Sequence, residues 1–69
     1  MKYTVLLNME YCSGVFKTEQ EAKNYANLLT KKILSLSDDE VASYDSDDWW
    51  QQRDNANIRT VEWYEEEPH

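Results

Sequence analysis

The sequence predicts an α+β fold with the element order ββαβ, in which three antiparallel strands in the order 2-1-3 carry one amphipathic helix on one face. Three observations predict it: an alternating apolar stretch near the start, a capped segment with apolar residues every three or four positions, and a β-rich stretch near the end. The 69 residues suffice for a single domain, residues 1–69. A domain of this size buries only about 60% of the surface its unfolded chain exposes, so a second subunit or a docked partner is expected to add stability.

Tyr3, Val5, Leu7 and Met9 alternate with Thr4, Leu6 and Asn8, which predicts a first strand over 3–9. After a polar break at Asn8 to Glu10, a second extended piece over 12–17 holds Gly14, Val15 and Phe16 and completes a hairpin. Thr18-Glu19-Gln20-Glu21 fits a capping box and opens a helix over 18–36. Glu19 and Glu21 lie in its first turn and Lys31 and Lys32 near its end, as the helix dipole favours. Ala22, Tyr25, Ala26, Leu29, Ile33 and Leu36 line one face of it. The side chains of Ser35 to Asp39 compete for backbone hydrogen bonds and stop the helix near Leu36.

An acidic connection over 37–57 follows, and within 41–53 the residues support two short elements: an extended piece over Val41 to Tyr44, and a helical turn capped by Ser46 and running to Arg53. Asp54-Asn55-Ala56-Asn57 reads as a turn, and Ile58 to Tyr64 as the last strand, 58–64, rich in β-branched and aromatic residues. Residues 65–69 form a tail. A right-handed crossover places the last strand beside the first. Trp63, in phase with Val61, is then expected under the helix, and Tyr64 on the open sheet face with Glu62 and Glu66.

Charge is segregated along the chain. Residues 1–34 carry five lysines against three glutamates, whereas residues 35–69 carry two arginines against eleven carboxylates, for a net charge of -7. Trp49, Trp50, Trp63, Tyr44 and Tyr64 lie inside the acidic half, so it has the makings of a surface to be bound. Strong negative charge repels nucleic-acid phosphates and anionic membranes alike. The expected partner is a basic protein surface, with no direct nucleic acid and no membrane. Of the adjacent indoles Trp49 and Trp50, one is expected to be partly exposed, since neighbours in regular structure cannot both enter the same core. A single Cys12 excludes an intrachain disulfide and points to a reducing, cytoplasmic setting. The N-terminal run Met1 to Leu7 turns polar at Asn8 and Glu10, so no secretory leader is expected.

Catalytic chemistry finds no support in the residues. The lone histidine, His69, is the last residue, Gly14 is the only glycine, and Cys12 has neither a basic neighbour nor a Cys-x-x-Cys partner, which suggests a small buried hydrophobe. The cluster Asp38, Asp39, Glu40, Asp45, Asp47 and Asp48 lacks the spacing and the turn glycine of a calcium loop. No enzyme activity, cofactor or metal is expected.

Two functions from different classes fit. In one, the chain is a small acidic inhibitor that blocks a nucleic-acid-binding protein by presenting carboxylates in place of phosphates, with aromatic anchors beside them. Its candidate contact residues are Asp38, Asp39, Glu40, Asp45, Asp47, Asp48, Trp49, Trp50, Glu62, Tyr64, Glu65 and Glu66. In size, charge and lone-domain construction the chain resembles the small acidic counter-defence proteins of bacteriophages, anti-CRISPR proteins among them. That resemblance implies action inside a bacterial host cell. In the alternative, the chain is a structural or adaptor module that forms a homodimer through its open sheet face, the acidic surface serving solubility.

Overall fold

The computed structural model describes residues 1–63, which fold into three strands and three helices: β1 (Lys2–Leu7), β2 (Glu10–Tyr11), α1 (Glu19–Leu34), α2 (Asp38–Val41), α3 (Ser46–Asn55) and β3 (Ile58–Trp63). The sheet is antiparallel with β1 in the middle, in the order β2-β1-β3. Among the described residues no helix is long and apolar enough to cross a membrane.

The hairpin is shorter than the alternation in sequence suggests. Asn8 and Met9 take positive φ angles of 52° and 67°, the left-handed backbone of a tight two-residue turn, so β1 ends at Leu7 and not at residue 9. Asparagine tolerates that conformation well, and the Asn8 amide and side chain are also held by Asn57, at 3.0 and 2.9 Å. The expected strand over 12–17 is not continuous. Tyr11 stands opposite Leu6, but Phe16 stands opposite Tyr3, so two extra residues are accommodated in between. Ser13 bridges the gap: its Oγ accepts the Val5 amide at 3.2 Å and donates to the Gly14 carbonyl at 2.9 Å. A lateral mismatch of this kind leaves no trace in the apolar pattern.

α1 begins and ends close to the positions the sequence marks. The Thr18 hydroxyl accepts from the Glu21 amide at 3.2 Å, and Ser35 closes the helix with a left-handed φ of 54° while its amide reaches back to the last-turn carbonyls. Ala22 and Ala26 are fully buried, and their small side chains let the helix approach the sheet closely. They form the core with Val5, Ile58 and Ala56, flanked by Tyr3, Leu7, Cys12, Phe16, Tyr25, Leu29 and Leu34. Thr30 is buried too, its hydroxyl donating to the Ala26 carbonyl at 2.7 Å. Ile33, expected on the buried face, is 43% exposed, because that face runs through Ala22, Ala26 and Thr30 and leaves residue 33 to one side.

Register fixes which side chains share a face. Val5 and Ile58 turn towards α1; the other face carries Lys2, Thr4 and Leu6 from β1 and, opposite them, Trp63, Val61 and Arg59 from β3. Trp63 therefore does not lie under the helix, as expected from its phase with Val61. Both belong to the far face, where the Trp63 ring meets Tyr11 edge to face at 5.3 Å. Those two rings, on the outer strands, span the middle strand and shield Thr4 and Leu6, which are buried although no helix covers them. Tyr64, expected on that face, lies outside the described residues.

The long connection holds more structure than the sequence suggests. The extended piece expected over Val41 to Tyr44 is absent; Val41 closes α2, and residues 42–44 turn on from it. The helical turn expected from Ser46 to Arg53 is α3, ten residues long, and its cap is Asp45.

Candidate functional site

Acidic residues are spaced as helix starts in this stretch, and that is what brings them together. Ser37 caps α2, its hydroxyl accepting the Glu40 amide at 3.1 Å, so Asp38, Asp39 and Glu40 form the first turn. Asp45 caps α3 in a reciprocal box: its carboxylate accepts the Asp48 amide at 2.9 Å, while Asp48 accepts the Asp45 amide at 3.2 Å. Asp47 and Asp48 then fill the first turn of α3. Carboxylates favour these positions because each helix start carries unsatisfied N–H groups and a partial positive charge. An amide hydrogen bond uses a carboxylate's lone pair and not its charge, so the capping role and the surface charge coexist.

All six side chains are exposed. Only Asp38 is neutralised, by an ion pair with Lys31 of α1; that hydrogen-bonded ammonium holds its carboxyl below the usual carboxylate range. Glu40 accepts from the Tyr44 hydroxyl at 3.1 Å. Desolvation, with the negative charges of Glu40 and Asp48 nearby, pushes the Tyr44 phenol up and keeps it a neutral donor. Asp39 and Asp47 have no hydrogen-bond or ionic partner among the described residues.

The two indoles diverge as neighbours on a helix must. Trp49 is half-buried and packs edge to face on Tyr44 at 5.1 Å, whereas Trp50 is 62% exposed. Three shallow grooves adjoin them. A groove of about 170 Å³ runs between Trp50 and β3 and carries Arg53, Asp54 and Arg59. One of about 580 Å³ lies between α1 and the start of α3, with Lys23, Asp45, Asp47 and both indoles in its lining. The third, about 380 Å³, is bounded by Leu28, Val41 and Trp49. Arg53 ties the layer to α1, donating to the Asn27 side chain at 2.7 Å.

Asp38, Asp39, Glu40, Asp45, Asp47, Asp48, Trp49 and Trp50 thus share one helical layer, α2 and α3, beside α1. Glu62 does not join them: it is an exposed residue of β3, opposite Tyr3. Glu65 and Glu66, like Tyr64, lie outside the described residues. Leu28 is a residue that the sequence reading passes over. Its signal is present, a leucine between Asn27 and the buried face at a position where a solvated helix would carry a polar residue.

Among the described residues no group of three or more histidine, cysteine, aspartate or glutamate side chains is placed to hold a metal ion. Cys12 is half-buried, its thiol donating to the Val5 carbonyl at 3.5 Å, and burial pushes the thiol up from its usual value. The arrangement offers fixed negative charge, two indoles and shallow grooves, which is the chemistry of binding. Comparison with protein-family models, with curated proteins and with solved structures returns no match.

Proposed function

We propose that the chain is a small, non-enzymatic inhibitor that occupies the nucleic-acid-binding surface of a basic protein, as phage-type anti-CRISPR proteins do. The observation that carries this reading is the α2–α3 layer, where unpaired Asp39 and Asp47 stand with four further exposed carboxylates beside the exposed Trp50. Duplex DNA presents about one negative charge per 1.7 Å of axis. One helical turn rises by roughly 5.4 Å, so Asp45, Asp47 and Asp48, gathered at the first turn of α3, approach that density locally on a rigid support. Lysines and arginines that read phosphates would meet them with matching charge, and Trp50 would supply the apolar anchor that a phosphate lacks.

The partner is then a nucleic-acid-binding protein of a bacterial host, met in the host cytoplasm. Capture from bacterial lysate with high-salt elution identifies it, and titration of the chain into that protein's complex with nucleic acid tests the reading. Release of nucleic acid at low salt, lost in a Trp50→Ala variant that melts at the wild-type temperature, is the expected result. No release even at low salt would remove the proposal for that protein.

A second reading, a homodimer through the sheet face, draws on Tyr11, which is 66% exposed beside Trp63. It is the weaker one, because those rings already shield Thr4 and Leu6 within a single chain. Sedimentation as a concentration-independent monomer ends it.

A further inference from the structure

We propose that the groove between α1, α2 and Trp49 seats an apolar side chain of the partner, one flanked on its own chain by lysines or arginines. This rests on the acidic-surface reading and says how the partner is selected. Asn24, Asn27, Leu28 and Lys31, at positions i, i+3, i+4 and i+7 of α1, form one wall; Val41 of α2 and Trp49 of α3 form the other. Leu28 is 63% exposed in it, an apolar side chain left in water where the groove stands open to a ligand.

Charge decides the occupant. In the groove beside Trp50 and β3, Arg59 is paired with Asp54, and in the larger one Lys23 is paired with Glu19 while Asp45 and Asp47 share the lining. Arg53, held by the neutral Asn27 side chain and by no carboxylate among the described residues, lines both and would oppose a cationic chain there. The third groove has one cation in its lining, Lys31, and that charge is cancelled by Asp38. Asp39 and Glu40 belong to the helix that supplies Val41, and Asp45, Asp47 and Asp48 open the helix that supplies Trp49. A chain laid along the groove therefore meets apolar surface in the middle and carboxylates on the two elements beyond α1. A second copy of this acidic chain lacks that complementarity, and a nucleic acid has the wrong sign.

The two contributions respond differently to salt. Coulomb attraction between exposed charges is screened within about 8 Å at physiological ionic strength and further above it, whereas burial of an apolar side chain is not weakened by added salt. A purely acidic surface would bind any polycation and release it as salt rises. A surface with an apolar seat discriminates among polycations and holds the right one longer.

The test uses two fluorescein-labelled peptides of equal charge, oligolysine and a lysine run interrupted by two leucines, with anisotropy measured at low salt and at about 0.5 M salt. The leucine-bearing peptide should bind roughly tenfold more tightly, the scale expected for one well-buried aliphatic side chain after ordering losses, and should keep most of that advantage at high salt. Leu28→Ser should bring it down to the oligolysine level. Val41→Ser should do the same, while Ile33→Ser, on the same helix but outside the groove, should change nothing; circular dichroism establishes that each variant is folded. Equal affinity for both peptides, or an unchanged advantage in folded Leu28→Ser, overturns the groove while leaving the acidic surface standing. If neither peptide binds at low salt, the acidic-surface reading falls and the groove proposal falls with it.

Discussion

Asp45 has two roles, helix cap and exposed charge, and substitution separates them. Asp45→Ala removes the acceptor for the Asp48 amide and should lower stability in urea denaturation by about 1 kcal/mol, the usual worth of a cap. Asp45→Ser keeps an acceptor and removes the charge, so it should hold stability near wild type and weaken binding to a polycation. Cys12 gives a second prediction at this scale. Burial favours the neutral thiol, so the folded pKa lies above the unfolded one; any stability linked to it is present below the unfolded value and is lost as pH rises through the folded value. Alkylation of the folded protein at neutral pH should be several-fold slower than in urea, and should accelerate only at pH above the ordinary thiol value of about 8.5. Equal rates in both states would show that Cys12 is not shielded.

Among the elements, β3 completes the core. Ile58 is 2% exposed and packs with Val5, Ala22 and Ala26. Ile58→Ala should cost about 2 to 4 kcal/mol in denaturant unfolding. In a domain whose whole stability is of order 5 kcal/mol, that leaves a substantial unfolded fraction. The elements also differ in how far they were legible in the sequence. α1 was readable because Thr18, the alanine spacing and the charge bias at both ends all say the same thing, and the order 2-1-3 follows from a crossover rule that needs no side-chain detail. The second strand was not, because Ser13 replaces a ladder partner through a side-chain hydrogen bond that periodicity does not register. The phase shared by Val61 and Trp63 suggests a core-facing pair, but the residue that anchors β3 to the core is Ile58, in the opposite phase. In the acidic layer the carboxylates and indoles were legible as candidates, but their common ground was not. Asp45, and not Ser46, is the cap of α3, and two helices, Asp38–Val41 and Ser46–Asn55, flank the turn that leads into it.

At the scale of the molecule the net charge of -7 is held in a domain with a small core, and self-repulsion works against folding. Added sodium chloride should raise the midpoint of thermal unfolding by a few degrees up to a few tenths molar, where screening shortens to within neighbouring side chains. A midpoint that falls with salt would mean that ion pairs such as Lys23–Glu19 and Lys31–Asp38 outweigh the repulsion. The sheet has a further consequence, for how the protein is made. Its middle strand is drawn from residues 2–7 and one neighbour from residues 58–63. A ribosome delivers those two segments in that order, with the hairpin, α1 and the acidic helices between them. Until Ile58 has left the exit tunnel, Val5 has no second strand beside it and α1 has only part of the surface on which it packs. Nascent chains arrested before that point should be cut rapidly by protease, and protection should appear in one step once β3 is clear, so that the acidic layer takes its final place only when the last strand has joined the sheet.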